Sequence, residues 1–272
     1  MKKTLMSLAV MVALGTGSMS AISAPLFKVQ EGAIAGTPTD GFSTFTADSF
    51  GSKYEELFQV TGVNTFTTTA YFNNVVFANT NVSPAGVSTY LGINEALFGG
   101  VGYNLYGTFT SSGTFATAGG TTTFTGTSAL IELWADPTQD TSIAFTSPLT
   151  STALTITQNG ADVKLASSTV MLSALGELKA SDQAGGFAFQ FGDLQLTAIG
   201  KNYFFDPDPF YVNVRATGQF DTFQLPNING VVALKGGSLD GTFNNVPEPG
   251  SLALFGLSLA GLSLMRKRKS VK

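Results

Sequence analysis

Apolar and polar residues alternate with a period of two along much of the chain, the pattern of strands with one buried and one wet face. In Val101-Gly-Tyr-Asn-Leu-Tyr-Gly-Thr-Phe109 it puts Val101, Tyr103, Leu105 and Phe109 on one side. Thr121 to Trp134, Phe187 to Phe191 and Phe210 to Ala216 follow the same rule, with Thr, Asn, Gln and Gly on the other side. Turn chemistry separates the runs. Asn159-Gly160, between Thr152 to Gln158 and Ala161 to Ala166, predicts a type I′ hairpin, since both central residues of that turn need φ > 0. Gly119-Gly120 and Asp240-Gly241 are weaker signals of the same kind. The apolar parity slips at Gly192-Asp193, between Phe187/Phe189/Phe191 and Leu194/Leu196, which predicts a bulge or tight turn. Gly-x-Phe recurs at Gly107, Gly113, Gly218 and Gly241 without a fixed period, so it marks strand beginnings and not a repeat architecture. Only Thr169 to Ala180 reads equally well as helix or strand. The expectation is an all-β fold, an antiparallel β-sandwich or barrel-like ectodomain of roughly ten to fourteen strands.

The two ends break this pattern. Met1-Lys2-Lys3 followed by the apolar run Leu5 to Leu14 has the layout of a secretory signal peptide, residues 1–23, with cleavage between Ser23 and Ala24. At the other end, residues 246–272 hold Pro247-Glu248-Pro249, an uncharged stretch from Gly250 to Met265, and a basic stop of Arg266, Lys267, Arg268 and Lys269. Leu252, Leu254, Phe255, Gly256, Leu257, Leu259, Ala260, Leu262 and Leu264 supply the apolar surface of a single membrane helix about 24 Å long at roughly 1.5 Å per residue. That falls short of a hydrocarbon core of roughly 30 Å, and snorkelling Lys and Arg side chains make up part of the difference. Basic residues on the cytoplasmic side put everything before the helix outside. Gly256 and Ala260, four apart, let the helix approach a membrane partner closely. The prolines keep the backbone before it extended, in a form a protease can thread. Residues 24–245 are then the exported β-rich domain.

Without the targeting charges, residues 24–246 carry 7 basic and 17 acidic residues, a formal charge of −10. Such a domain lacks the basic footprint of a nucleic-acid partner. There is no cysteine, so no disulfide, and no histidine, which removes Ser-His-Asp and Cys-His nucleophiles and His-ligated zinc. What remains is carboxylate pairs, Tyr or Lys, and oxygen-ligated metals. Asp206-Pro207-Asp208-Pro209 is a weak Ca²⁺ candidate through Asp206 and Asp208, since a calcium loop needs more ligands and turn formation is the better explanation of Asp-Pro. Asp136-Pro-Thr-Gln-Asp140 is read the same way. Glu55, Glu56, Glu95 and Glu132 are candidates for the two carboxyls of a glycosidase, which must stand about 5 to 9 Å apart across a cleft. Adjacent Glu55 and Glu56 point to opposite faces of a strand and cannot be that pair. Tyr71, Tyr106 and Tyr211, on the polar sides of their strands, could stack on sugars or serve as cross-strand partners.

Pro-Glu-Pro, then a short Leu/Gly/Ala helix, then a basic cluster, resembles the PEP-CTERM sorting signal. The resemblance implies recognition by an exosortase, a multi-pass membrane transpeptidase or protease, and export to the surface of an exopolysaccharide-producing Gram-negative bacterium. A second stretch, Phe45-Thr-Ala-Asp-Ser-Phe-Gly-Ser-Lys-Tyr-Glu-Glu56, is similar to the flocculation-associated PEP-CTERM proteins. That similarity implies a role in cell aggregation within an exopolysaccharide matrix, with no catalytic residues to carry over. The expectation is a non-enzymatic surface or matrix protein without a cofactor, whose partners are an exosortase, matrix components and, transiently, the membrane. The alternatives are a surface carbohydrate-active enzyme and a calcium-dependent carbohydrate-binding module.

Overall fold

The computed structural model describes residues 26–34, 44–79, 88–91, 103–145, 154–158, 160–181, 184–208, 210, 212–219 and 230–243. Strands run in chain order as β1 (Phe27–Gln30), β2 (Thr44–Ala47), β3 (Ser49–Val60), β4 (Thr65–Asn79), β5 (Ser88–Leu91), β6 (Asn104–Ala118), β7 (Thr121–Asp136) and β8 (Ser142–Phe145). Then follow β9 (Leu154–Thr157), β10 (Val163–Ser168), β11 (Val170–Lys179), β12 (Ala184–Gly192), β13 (Gln195–Leu196), the helix α1 (Ala198–Tyr203), β14 (Phe204–Asp206), β15 (Val212–Gln219) and β16 (Val231–Phe243).

Eight of these strands, β3, β4, β6, β7, β11, β12, β15 and β16, pair antiparallel each with the next, and β16 returns to pair with β3. The sheet therefore closes on itself as an up-and-down, barrel-like ring in which each of the eight strands pairs with a neighbour on both sides, the β7–β11 ladder being the short one. β10 and β11 are one bent strand, joined at Thr169, that follows β7 and then the β12–β13 strand beside it.

The barrel is filled from within by phenyl rings, and its glycines explain how. Phe72 stands directly opposite Gly107, Phe66 opposite Gly113, Phe187 opposite Gly218 and Phe50 opposite Gly241. A Cβ on any of these four glycines would come within 2.0 to 2.7 Å of its partner's ring. Each ring lies over the bare backbone of the neighbouring strand, a cross-strand arrangement in which glycine gives the space and the aromatic covers it. The Gly-x-Phe echoes of the sequence are the inward glycines of this packing. The outward positions are polar: Thr108, Thr110, Ser112 and Thr114 on β6, and Thr121, Thr123 and Thr125 on β7. This is the reverse of the apolar outer band of a membrane barrel.

One end is closed by a small sheet, β14-β1-β2, with α1 against β10. Phe27 packs edge-on against Phe77, Phe204 and Phe210. The Tyr103 hydroxyl lies 2.6 Å from that of Tyr203 and donates to Glu31 Oε1 at 3.3 Å, so the closure carries its own buried polar tie. Thr197 caps α1 by accepting from Gly200 N–H.

Several expectations change. Residues 170–179 are strand β11 and not helix, because their alternate residues Ala174, Gly176 and Leu178 are buried in the barrel. The strands either side of Asn159-Gly160 do not pair with each other: β9 pairs with β8, and β10 with β7 and β13, where longer ladders outweigh the local turn signal. Asn159 itself lies outside the described residues. Asp240-Gly241 sits inside β16, where Gly241 makes room for Phe50. Gly119 (φ 57°) and Gly120 (φ 80°) do form the β6–β7 hairpin turn, and β12 breaks before Asp193 at φ 53°.

Candidate functional site

Period two on β3 sends Tyr54, Glu56 and Phe58 into the lumen and Glu55 outward, where it accepts from Tyr71 at 3.2 Å. Glu56 is 2% exposed, a carboxyl set among phenyl rings. Thr68 on β4, opposite Phe58, brings a hydroxyl to the same layer, and that hydroxyl lies 2.7 Å from Ser111 Oγ on β6. Glu56 Oε2 and the Tyr54 hydroxyl are buried and neither makes a hydrogen bond of good geometry, although the Tyr54 and Thr68 hydroxyls both stand near enough to the carboxyl to favour its charged form. Burial pushes the Glu56 carboxyl up to about 8, and the Thr68 and Tyr54 hydroxyls offset this only in part. At neutral pH the group is therefore mostly protonated and can donate as well as accept. Burial, and then the charge of Glu56, raise the Tyr54 hydroxyl further still.

Glu56, Thr68, Phe58 and Phe66 on one side face Ala174 and Gly176 across a cavity partly open to solvent. The cavity volume is about 20 Å³. The closed space therefore holds about one water.

A second group lies on the outside of the barrel. Carboxylate oxygens of Asp136, Asp140 and Asp162 all fall within 4.8 Å of one another. Asp136 accepts from the backbone N–H groups of Thr138 and Thr141 at 3.1 and 2.9 Å. Burial works against its charge, but the donors of Thr141 and of the 139 and 140 backbone outweigh that and hold it below the usual carboxylate range. Asp162 Oδ2 accepts from Tyr106 and Thr141, both at 2.7 Å. Three hard oxygen donors could take a divalent cation, yet the turn already occupies Asp136, as the sequence reading expected of it.

Asp206 and Asp208, the sequence's calcium candidates, are not in this group. Asp206 is ion-paired with Lys28 at 2.7 Å, and Asp208 is exposed. Glu132 stands on the outer face of β7, paired with Lys164 at 2.8 Å, while Glu56 is in the lumen and Glu55 outside on β3. The structure thus separates these three carboxyls; Glu95 lies outside the described residues. Tyr106 is fully buried and stacks on Trp134 at 6.5 Å, so it offers no open platform, and Tyr71 is engaged with Glu55. The parting of Glu55 and Glu56 to opposite faces was legible from the alternation. Asp162 carried no signal that placed it beside Asp136, because the contact depends on β10 lying against β7.

The signal-peptide residues, Ser23 and Ala24 included, Tyr211, and the whole tail from Pro247 to Lys269 lie outside the described residues. Among the described residues no helix is long and apolar enough to cross a membrane. In comparison with known proteins, the model of the PEP-CTERM protein-sorting motif matches residues 245–269. No curated protein and no solved structure matches the chain. The motif takes in Pro247, Glu248, Pro249 and the basic stop, and it indicates an exported surface protein targeted by an exosortase.

Proposed function

We propose that the chain is a non-enzymatic matrix protein. Its tail holds it at the inner membrane after export, an exosortase removes that tail near Pro247-Glu248-Pro249, and the freed barrel enters the exopolysaccharide, where it promotes flocculation or biofilm formation. The observation that carries this reading is the sorting motif at 245–269, directly after the last barrel strand. The hydroxyl-rich outer wall of β6 and β7 supports it, since rows of Thr and Ser offer a polysaccharide donors and acceptors without a fixed charge.

The test replaces Pro247, Glu248 and Pro249 by Ala in the producing cell. The variant is expected to stay in the membrane fraction at full tail length while the wild-type chain is shortened and found outside, and cells without the chain are expected to settle more slowly. A wild-type chain that keeps its tail after export would overturn the sorting step, and unchanged aggregation on deletion would overturn the matrix role.

A further inference from the structure

Sorting accounts for the tail and leaves open which way the barrel points while the tail holds it. Both ends of the described chain lie at one end of the ring. Leu26 leads directly into β1 of the closing sheet, and Phe243, the last residue of β16, stands opposite Val212. Val212 follows closely on Phe210, whose ring stacks on Phe204 of β14 at 4.7 Å. β2 of the same sheet runs into the first ring strand, β3, with only Asp48 between them. The tail therefore leaves the barrel beside its closed end. Seven residues carry the chain from Phe243 to Gly250, where the uncharged stretch begins. With that stretch inserted, the closed end stays within about 25 Å of the bilayer even when the link is fully extended.

That end carries apolar side chains that the fold leaves uncovered. Alternation along β1 buries Phe27 and Val29 and turns Leu26 and Lys28 outward. On β14, Phe204 goes into the core and Phe205 out of it. The Lys28 ammonium lies 5.9 Å from the centre of the Phe205 ring and 2.7 Å from Asp206, so the two strands share one outer surface. α1 runs directly into β14 and exposes Ile199, Lys201 and Asn202. Leu26, Ile199 and Phe205 are 42, 40 and 42% exposed. Among the described residues the remaining large apolar side chains at the surface are Val63, in the β3–β4 turn at the far end, and Val170, Leu172 and Leu175 on the outer wall of β11. Aliphatic and aromatic groups set among lysines match the boundary between water and hydrocarbon, where the apolar body enters and the ammonium stays with the headgroups.

We infer that the closed end of the barrel is a membrane-contact surface. While the tail is inserted, Leu26, Ile199 and Phe205 enter the headgroup region of the same bilayer, Lys28 and Lys201 meet lipid phosphates, and the β3–β4 and β6–β7 turns point away. The occupant is lipid and not a second copy of the chain, because the short link brings this end, and no other, against a bilayer. Three partly exposed side chains do not hold a domain of charge −10 on a membrane by themselves. The tether supplies the local concentration that makes so weak a contact persist, and removing the tail ends it. The contact thus keeps the Pro247 to Pro249 segment at the membrane surface before cleavage and lets the barrel go afterwards. This rests on the reading of the tail as a membrane tether.

The chain has no cysteine, so one introduced thiol carries a polarity-sensitive fluorophore without interference. Chains with the tail intact and bearing Asn202→Cys, Val63→Cys or Leu175→Cys are labelled and reconstituted into vesicles of phosphatidylethanolamine and phosphatidylglycerol. Quenching by a nitroxide-bearing lipid headgroup is read at each position, and flotation reports whether the chain stays with the vesicles. The label at position 202 is expected to shift to shorter wavelength and to be quenched, while those at positions 63 and 175 are not. Adding Ile199→Ser and Phe205→Ser should lower quenching at position 202 about tenfold with flotation unchanged. A chain that floats without quenching at position 202, or with quenching unaffected by the two serines, would overturn the inference alone. Equal quenching at positions 63 and 202 would mean a barrel with no fixed orientation, and stronger quenching at position 175 a barrel lying on its β11 wall; either overturns it. A chain that does not float would overturn the tether reading along with it.

Discussion

Glu56 makes the stability of the barrel depend on pH in a direction opposite to that of most carboxyls. Its value rises from 4.5 to about 8 in the folded chain because burial penalises the charged form. The folded state therefore holds a proton that the unfolded state has released. The stabilisation is complete below the unfolded value and is lost as pH rises through the folded one, at about 1.4 kcal/mol per pH unit between them. Over the whole window this amounts to about 5 kcal/mol, comparable with the entire stability of many domains. Glu56→Gln keeps the shape and removes the titration. Urea unfolding of wild type and variant, followed by circular dichroism between about pH 5 and pH 8, isolates the effect as the difference between the two slopes. Carboxyls held low, such as Asp136, contribute equally to both proteins and cancel. The wild type is expected to lose stability relative to Glu56→Gln steadily across that range. Parallel curves would refute the reasoning, because they would mean that Glu56 meets water in the folded state.

Gly107→Ala places a methyl 2.0 Å from Phe72 Cζ and 2.4 Å from the Glu132 carbonyl oxygen, and should cost about 1–3 kcal/mol in urea unfolding through overpacking. Gly119→Ala, with nothing within 4 Å, should cost about 1–2 kcal/mol, from its positive φ alone. Only the Gly107 loss should shrink when Phe72 is also replaced by Leu. Thr197→Ala removes the cap that Gly200 N–H donates to and should cost about 1 kcal/mol, with Thr197→Ser restoring most of it.

Much of this fold can be read from residue order. The alternation at Tyr103, Leu105 and Phe109, the Gly119-Gly120 turn and the break at Asp193 all depend on neighbours in sequence, and all three stand in the structure. What could not be read depends on partners far along the chain. Asn159-Gly160 had the best local turn chemistry and still yielded to the β10–β7 ladder. The β-branched start of β11 could not be told from a helix until its small residues found the barrel interior. That Glu55 and Glu56 part to opposite faces followed from the alternation, but that Glu56 would be the one enclosed among phenyl rings depended on strands far along the chain. The α1 segment went unforeseen because six residues are too few for helical periodicity to show.

Ring closure by β16 has a bearing on when this chain becomes a finished object. The first barrel strand waits for the last, with most of the polypeptide between them, so a chain ending before Val231 presents two raw sheet borders able to recruit other chains. The address begins at residue 245, two residues beyond Phe243. A polypeptide cut short carries neither the closing strand nor the label, and whatever is long enough to be delivered is also long enough to shut.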